Sequence, residues 1–187
     1  MMKVVSCFAV AVILVALLAR TGGADTKADG HRGVQEGIFP PLTATNLEGI
    51  TLSLPADFAG ERNLLLIAFQ REQQKNVDTW LHQMKRFDSS PGFRYYELPT
   101  IDKLNPLVRW FINSGMRRGI PDHDARARTF TLYIDKPPFL NALNIADEKQ
   151  IYAILIDRSG RVLWRAEGDF DEARGASLQE VLTRGRL

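Results

Sequence analysis

The middle of the chain contains a run of hydrophobic residues without polar alternation, Asn63–Phe69, which reads NLLLIAF. A continuous apolar run of this length is typical of a β-strand that is covered on both faces. Apolar residues then recur at helical spacing and predict an amphipathic helix over residues 75–87: Val77, Trp80, Leu81, Met84 and Phe87. A covered strand followed by such a helix favours an α/β domain.

The rest of the chain continues this alternation of strands and helices. Strands are predicted at Leu42–Leu47, Ile50–Leu54, Phe93–Leu98 (ended by Pro99), Thr129–Asp135, Ile151–Asp157 and Val162–Ala166. Helices are predicted to begin at Asn105-Pro106 and to cover Pro138–Asn144 and Ser177–Arg184, and residues 120–128 are expected to form a polar loop. The sequence therefore predicts a central mixed sheet with helices on both faces, an N-terminal hairpin, and a C-terminal antiparallel hairpin followed by a helix.

The same pattern predicts one core between the sheet and the helices. The residues expected to be nearly fully buried are Leu65, Ile67, Phe69, Trp80, Leu81, Met84, Phe111, Ile154 and Ile156. In the helix after Asn105, the residues Leu107, Val108, Phe111 and Ile112 are expected to face inward, and Trp80, Trp110 and Trp164 are interpreted as core residues.

The N-terminus has the layout of a secretory signal peptide. Lys3 precedes an apolar run, Val4–Ala19, and small residues that include Gly22 and Ala24 follow it. Residues 1–24 are therefore predicted to be a leader that is cleaved before Asp25, with an uncleaved membrane anchor as the alternative. Residues 25–37 are predicted to be a flexible linker, and residues 38–187 the domain, located in the periplasm or secreted. No stable membrane association is expected once the leader is removed.

Charge argues against a nucleic-acid partner. The chain has 24 basic and 22 acidic residues, and two of the basic ones, Lys3 and Arg20, precede Ala24. The remainder has 22 residues of each sign and a net charge of zero. It therefore lacks the long-range positive field that would attract nucleic acid or an anionic membrane. A local basic patch is compatible with this balance.

Cysteine is nearly missing from the chain. The single cysteine is Cys7, inside the apolar run of the predicted leader. Thiol–disulfide exchange needs a thiolate nucleophile and usually a second thiol that resolves the mixed disulfide. The predicted mature chain has neither group.

Three segments nevertheless resemble the thioredoxin-like superfamily, especially its exported redoxin and peroxiredoxin-like branch. They are Leu52–Gly60 (LSLPADFAG), the strand Asn63–Phe69, and Leu155–Val162 (LIDRSGRV), in the order and spacing found in that family. The C-terminal part, from Ile151–Asp157 into Gly160-Arg161-Val162-Leu163-Trp164, is also similar to the mitochondrial ATP synthase assembly factor branch. The resemblance implies a thioredoxin-like fold over about residues 38–185.

The chain departs from active members of that family at both halves of the redox site. Where they carry a Cys-x-x-Cys motif or a peroxidatic cysteine at a helix N-terminus, this chain has Gln70–Lys75. Where they carry a cis-proline before the penultimate strand, it has Gln150-Ile151. The resemblance therefore implies a pseudo-enzyme with no catalytic residue, no cofactor and no metal.

The replaced segment is the candidate binding site. The tentative binding residues are Gln70, Arg71, Glu72, Gln73, Lys75 and Ile151, which would lie where α/β sheets bind ligands and could hold an extended peptide. A decayed site without function is the alternative. Asp122-His123-Asp124 could contribute ligands to a metal ion, but a solvated loop is the preferred interpretation. His82 could act as a general base, but a position on a helix surface is preferred.

Two functions follow from these observations. The preferred one is a non-catalytic exported binding module, an assembly factor or chaperone whose partner is an envelope protein or peptide. The alternative is an enzyme of the same fold, a peroxiredoxin-like or other thiol oxidoreductase.

Overall fold

The computed structural model describes residues 37–184. The predicted leader and residues 25–36 of the predicted linker lie outside this range. Gly37, the last residue of the predicted linker, is described, and its carbonyl oxygen accepts a hydrogen bond from the Val162 N–H at 3.0 Å. Within residues 37–184, no helix has the length and hydrophobicity that a membrane span requires.

Seven strands and five α-helices follow one another in the predicted α/β pattern. The strands are β1 (Leu42–Thr45), β2 (Thr51–Leu54), β3 (Arg62–Ala68), β4 (Phe93–Asp102), β5 (Leu132–Ile134), β6 (Tyr152–Asp157) and β7 (Val162–Glu167). The helices are α1 (Gln74–Leu81), α2 (Pro106–Gly119), α3 (His123–Arg128), α4 (Lys136–Ala142) and α5 (Glu172–Arg184). Short 3-10 turns, Arg71–Gln73 and Met84–Phe87, flank α1.

The central sheet is mixed, as predicted, with the strand order β5-β4-β3-β6-β7. Strands β3, β4 and β5 are parallel, whereas β6 runs antiparallel to both β3 and β7. Strands β1 and β2 form the separate N-terminal hairpin. The parallel strands place the C-terminal ends of β3 and β4 at the same edge of the sheet, which is the edge that the candidate site occupies.

The prediction that β4 ends at Pro99 is wrong. The strand continues to Asp102 because it changes partner at the proline. Ala68, the last residue of β3, pairs with Pro99, and from Thr100 onward β4 pairs with β5, beginning opposite Leu132. A proline is tolerated in a strand where no ladder hydrogen bond from its nitrogen is needed.

The sheet has two cores, one on each face, where the sequence analysis predicted one, and together they explain the apolar run in β3. Leu65 and Ile67 lie in one cluster with Phe58, Leu98 and Ile154, among others. Leu64 and Leu66 lie in the other, which also contains Val77 and Trp80 of α1 and Leu178 of α5. Because successive strand residues point to opposite faces, a strand between two cores needs hydrophobic residues at every position.

Helix α1 is shorter than the predicted helix over residues 75–87. It ends at Leu81, which is only half-buried, and the chain then forms the 3-10 turn Met84–Phe87. Met84 and Phe87 are nonetheless buried, as their spacing predicted. Phe69 was also expected in the core, but it is half-buried and packs against the edge of the cluster that contains Leu65 and Ile67.

Helix α2 begins where the sequence predicted, but the prediction of which residues face the core is wrong. The Asn105 side chain accepts a hydrogen bond from the Val108 N–H at 3.0 Å and caps the helix. Leu107, Trp110 and Phe111, expected in the core, are 75%, 64% and 72% exposed. None of the 14 residues of α2, all of them described, is buried.

No element of residues 37–184 covers these apolar side chains, and polar contacts attach α2 to the rest of the domain. The Tyr133 hydroxyl donates to the Asn113 side chain at 2.8 Å, and the Arg117 Nε donates to the Leu47 carbonyl oxygen at 2.6 Å. The segment after α2, predicted to be a loop, contains α3, whose first turn is capped by the Asp122 carboxylate.

Candidate functional site

The segment Gln70–Lys75 connects the C-terminal end of β3 to α1, as the sequence predicted. Gln70 has extended backbone geometry, Arg71–Gln73 form a 3-10 turn, and α1 follows directly from Gln74. The side chains of Gln70, Arg71, Glu72 and Lys75 are exposed. Four of the six predicted binding residues are therefore accessible to a ligand.

Gln73 is different, because its side chain is buried and both its oxygen and its nitrogen are hydrogen-bonded. Its Oε1 accepts from the N–H groups of Phe69 and Gln70 at 2.8 and 3.2 Å, and its Nε2 donates to the Glu148 carbonyl oxygen at 2.8 Å. Gln73 is 6% exposed. Its inclusion among the tentative binding residues implied a surface position, which is wrong, and its contacts give it a structural role in holding the β3–α1 connection.

Ile151 immediately precedes β6, and its side chain is also buried. It packs in the cluster that contains Val77 and Trp80 of α1. Among residues 37–184, the one cis peptide bond is Leu54–Pro55, so the Gln150–Ile151 bond is trans. Its position close to α1 agrees with the prediction, but its side chain has no surface to offer a ligand.

A cleft of about 900 Å³ lies beside this segment, at the C-terminal ends of β3 and β4. One wall is formed by Ala68–Arg71 and by α1, and the opposite wall by α2 and the chain leading into α3. The second wall is lined by Ile112, Gly115, Met116, Gly119 and Ile120. The structure thus places Gln70 and Arg71 at the margin of a largely apolar cleft.

Glu97 of β4 is the most unusual group in this cleft. Its side chain is buried, with 8% of the residue exposed, and its Oε2 accepts a hydrogen bond from the Gln74 Nε2 at 3.3 Å. Burial holds the pKa of the Glu97 carboxyl above its usual range, the Gln74 hydrogen bond opposes this effect, and the nearby charge of Asp78 adds to it.

Gln74 brings a second carboxylate to the same place. Its Nε2 also lies 3.1 Å from the Asp78 Oδ1, so one amide group contacts both Glu97 and Asp78. Both acids line the cleft. Carboxyl oxygens in a partly dry, apolar cleft are acceptors for N–H donors of a bound ligand, because an unpaired polar group at such a place is costly.

Sequence reasoning missed Glu97, Asp78 and the whole wall formed by α2. One signal for Glu97 was present. It is the single acid in the sequence Phe93–Leu98, which is mostly aromatic and apolar, and acids are rarely buried in such a strand without a partner. For α2 there was no such signal, because its apolar positions were interpreted as core.

The other titratable candidates have local explanations. His123 lies 3.7 Å from the carboxylates of Glu48 and Asp124, and Asp122 caps α3. Within residues 37–184, no group of three His, Cys, Asp or Glu side chains has the geometry to hold a metal ion. His82 is exposed just after α1.

Comparison with known proteins identifies the fold. No family model matches the chain, and no curated protein matches it by sequence. The solved structure of BsSco, a member of the Sco family of cytochrome c oxidase assembly proteins, is similar with a TM-score of 0.55 at 15% identity, over 82% of this chain and 96% of that chain. The chain has a thioredoxin-like fold.

A second solved structure agrees. An uncharacterized thioredoxin-like protein from Porphyromonas gingivalis is similar with a TM-score of 0.51 at 13% identity, over 80% of this chain and 94% of that chain. In this thioredoxin-like fold, the β3–α1 connection is the position that the sequence resemblance assigned to the redox cysteines. Gln70–Lys75 and the cleft beside it occupy that position here.

Proposed function

We propose that this protein is a non-catalytic, exported binding module that acts as an assembly factor or chaperone for envelope proteins. The observation that carries the proposal is the cleft of about 900 Å³ beside Gln70 and Arg71. Ligands of α/β sheets bind outside the carboxyl ends of the strands, where this cleft lies. Its mixture of apolar walls and few polar groups is typical of binding sites.

The chemistry of the cleft favours an extended polypeptide segment as the ligand. Ile112 and Met116 offer apolar contact area on one side, and Ala68 and Phe69 offer it on the other. Glu97 supplies a carboxyl group that can accept hydrogen bonds from backbone N–H groups, whereas Arg71 can donate to carbonyl oxygens. A segment with alternating apolar side chains and accessible backbone groups matches both features.

Thiol chemistry has no nucleophile in residues 37–184, since the only cysteine of the chain is Cys7. A disulfide or peroxide substrate would need a thiolate at the β3–α1 connection, where Gln70–Lys75 offer none. The oxidoreductase alternative predicts that the purified protein reduces insulin or consumes peroxide faster than a heat-denatured sample does. We expect no such turnover.

Gly115 gives a sharp test of the cleft. It lines the cleft from α2, and a Cβ placed on it meets nothing within 4 Å. The Gly115→Leu variant should fill the cleft with a side chain while slightly stabilising α2, because glycine is a poor helix former by about 1 kcal/mol. Reduced binding therefore cannot be attributed to unfolding.

The experiment first captures an envelope protein with the wild-type chain and identifies it by mass spectrometry. The affinity of that purified protein is then measured for the wild type, for Gly115→Leu, and for Ser114→Leu, a control at the neighbouring position of α2, which does not line the cleft. We expect Gly115→Leu to weaken binding at least about tenfold, a loss of about 1.4 kcal/mol, and Ser114→Leu to leave it unchanged. Equal affinity of all three would exclude the cleft as the binding site.

A further inference from the structure

The outer surface of α2 is an exposed hydrophobic face. Leu107, Trp110 and Phe111 are each more than half exposed, and Val108 lies beside them at 38%. These four residues line an apolar depression of their own, which shares no residue with the cleft. We call the four residues the α2 apolar face. Exposed aromatic residues clustered in this way mark an interaction surface.

The charged residues of α2 and of the segments that flank it in the sequence have one sign. Residues 103–121 contain Lys103, Arg109, Arg117 and Arg118 and no acidic residue. Arg118 follows Leu107 and Phe111 at helical spacing, so it continues the stripe on which they lie. Lys103 and Arg118 are exposed. The net charge of zero over residues 25–187 therefore conceals a local excess of positive charge at this helix.

The nearest acidic residues in the sequence are already engaged. The Asp102 carboxylate lies 3.2 Å from the Lys136 Nζ, and the Asp122 carboxylate accepts the Asp124 N–H at the start of α3. Within residues 37–184, neither acid forms an ion pair with Lys103 or Arg118. The cationic side chains remain available to an external anionic surface.

We propose that α2 docks on an anionic lipid surface, with the α2 apolar face inserted at the level of the headgroups. Leucine, tryptophan and phenylalanine on one side of a helix, together with flanking cations, are the features of helices that lie in the membrane interface. A second copy of the chain fits less well, because pairing two such faces would bring Arg117 and Arg118 toward cations of the same kind.

This docking is independent of the proposed function, although the two are geometrically compatible. Gly115 and Met116, in the C-terminal half of α2, line the cleft, whereas Leu107, Trp110 and Phe111 lie in its N-terminal half. A docked α2 would hold the cleft next to the membrane surface. The proposal departs from the sequence-based expectation of no stable membrane association, because it assigns a reversible association to the domain itself.

Trp110 provides a local readout that does not depend on the N-terminal apolar segment. The full chain is mixed with vesicles whose lipids are brominated near the headgroups and contain about 30% phosphatidylglycerol. Bromine quenches only tryptophans that reach the bilayer. Trp80 is buried in the core, and the half-buried Trp164 of β7 is present in both the wild type and the variant, so the difference between them reports on Trp110. We expect the Trp110→Phe variant, which keeps the apolar face but removes its reporter, to show about threefold less quenching than the wild type.

Charge and hydrophobicity are then tested separately on the wild-type Trp110 background. Lys103→Gln together with Arg118→Gln, or about 0.5 M salt, should reduce the quenching on anionic vesicles. Phe111→Ser should reduce it as well, whereas Ile38→Ser, an exposed apolar residue beside the β6–β7 turn, should not. Far-UV circular dichroism confirms that each variant is folded.

Several results would overturn the proposal. Trp110 could stay unquenched while the chain is bound to vesicles through its N-terminal segment, which would show that α2 remains in water. The quenching could be equal on neutral and anionic vesicles, which would show that Lys103 and Arg118 do not contribute to the docking. Finally, Phe111→Ser could abolish capture of an envelope protein without changing the quenching, in which case the face binds protein.

Discussion

The side-chain amide of Gln73 donates a hydrogen bond to the backbone carbonyl oxygen of Glu148, at 2.8 Å and 75 positions away in the sequence. This bond ties the start of α1 to the segment that leads into β6. The oxygen of the same amide accepts two backbone N–H groups at the end of β3. One buried side chain therefore fixes the connection that forms a margin of the cleft, and variants designed to test binding should leave Gln73 intact.

The first prediction concerns this residue. Gln73→Ala removes the partner of two N–H groups and one carbonyl oxygen, and should lower the free energy of unfolding by about 1–3 kcal/mol. Lys75→Ala, an exposed neighbour, should change it by less than about 0.5 kcal/mol. Urea unfolding of both variants measures the difference. Equal stability of the two would mean that the Gln73 contacts contribute nothing.

The second prediction concerns the pH dependence of stability through Glu97. Burial raises the pKa of this carboxyl in the folded chain, so folding favours the protonated form. Its contribution to stability is therefore fully present below the ordinary glutamate pKa of 4.5 and is lost as the pH rises through the raised value. Glu97→Gln, which stays neutral, should gain stability relative to the wild type as the pH increases from about 4 to 8.

Denaturant unfolding of both proteins across this pH range checks the second prediction. The wild type serves as the reference at each pH, so that the titration of all other groups cancels. A constant difference between the two curves would show that the Glu97 carboxyl has the same pKa in the folded and unfolded chains.

The third prediction compares two glycines with the same backbone angle. Gly49 and Gly160 both have φ near +87°. A Cβ on Gly160 would lie 2.8 Å from the Phe39 carbonyl oxygen, whereas one on Gly49 meets nothing within 4 Å. Gly49→Ala should therefore cost only the left-handed strain, about 1–2 kcal/mol, and Gly160→Ala should cost more. Thermal unfolding that ranks them in the reverse order would contradict the close packing at the β6–β7 turn.

The fourth prediction concerns the core. Ile67 is fully buried in β3, whereas Phe69, two residues later, is half-buried at the margin of the cleft. Ile67→Ala should destabilise the fold by about 2–5 kcal/mol. Phe69→Ala should cost less, below the range of about 3–5 kcal/mol that a fully buried phenylalanine would give. Chemical denaturation measures the loss in the free energy of unfolding for each variant. A larger loss for Phe69→Ala than for Ile67→Ala would place the Phe69 ring in the core.

Much of the fold could be predicted because its signals are local. The apolar run of β3, the Asn105 cap of α2 and the glycine turn between β6 and β7 each depend on neighbouring residues, and each was found in place. Even Met84 and Phe87, outside the regular helix, are buried as their spacing predicted. The alternation of strands and helices also led to the thioredoxin-like resemblance, and the position of the single cysteine, Cys7, was sufficient to disfavour thiol chemistry.

Tertiary structure decided where the apolar faces go. The spacing of Leu107, Trp110 and Phe111 shows that they share one side of a helix, but spacing does not reveal whether another element covers that side. Gln73 reads as a polar surface residue, yet a carbonyl group 75 positions away gives it a buried partner. The cleft, its Glu97 carboxyl and the exposed face of α2 all depend on contacts between distant segments, and a hydrophobic pattern specifies burial only when such a partner exists.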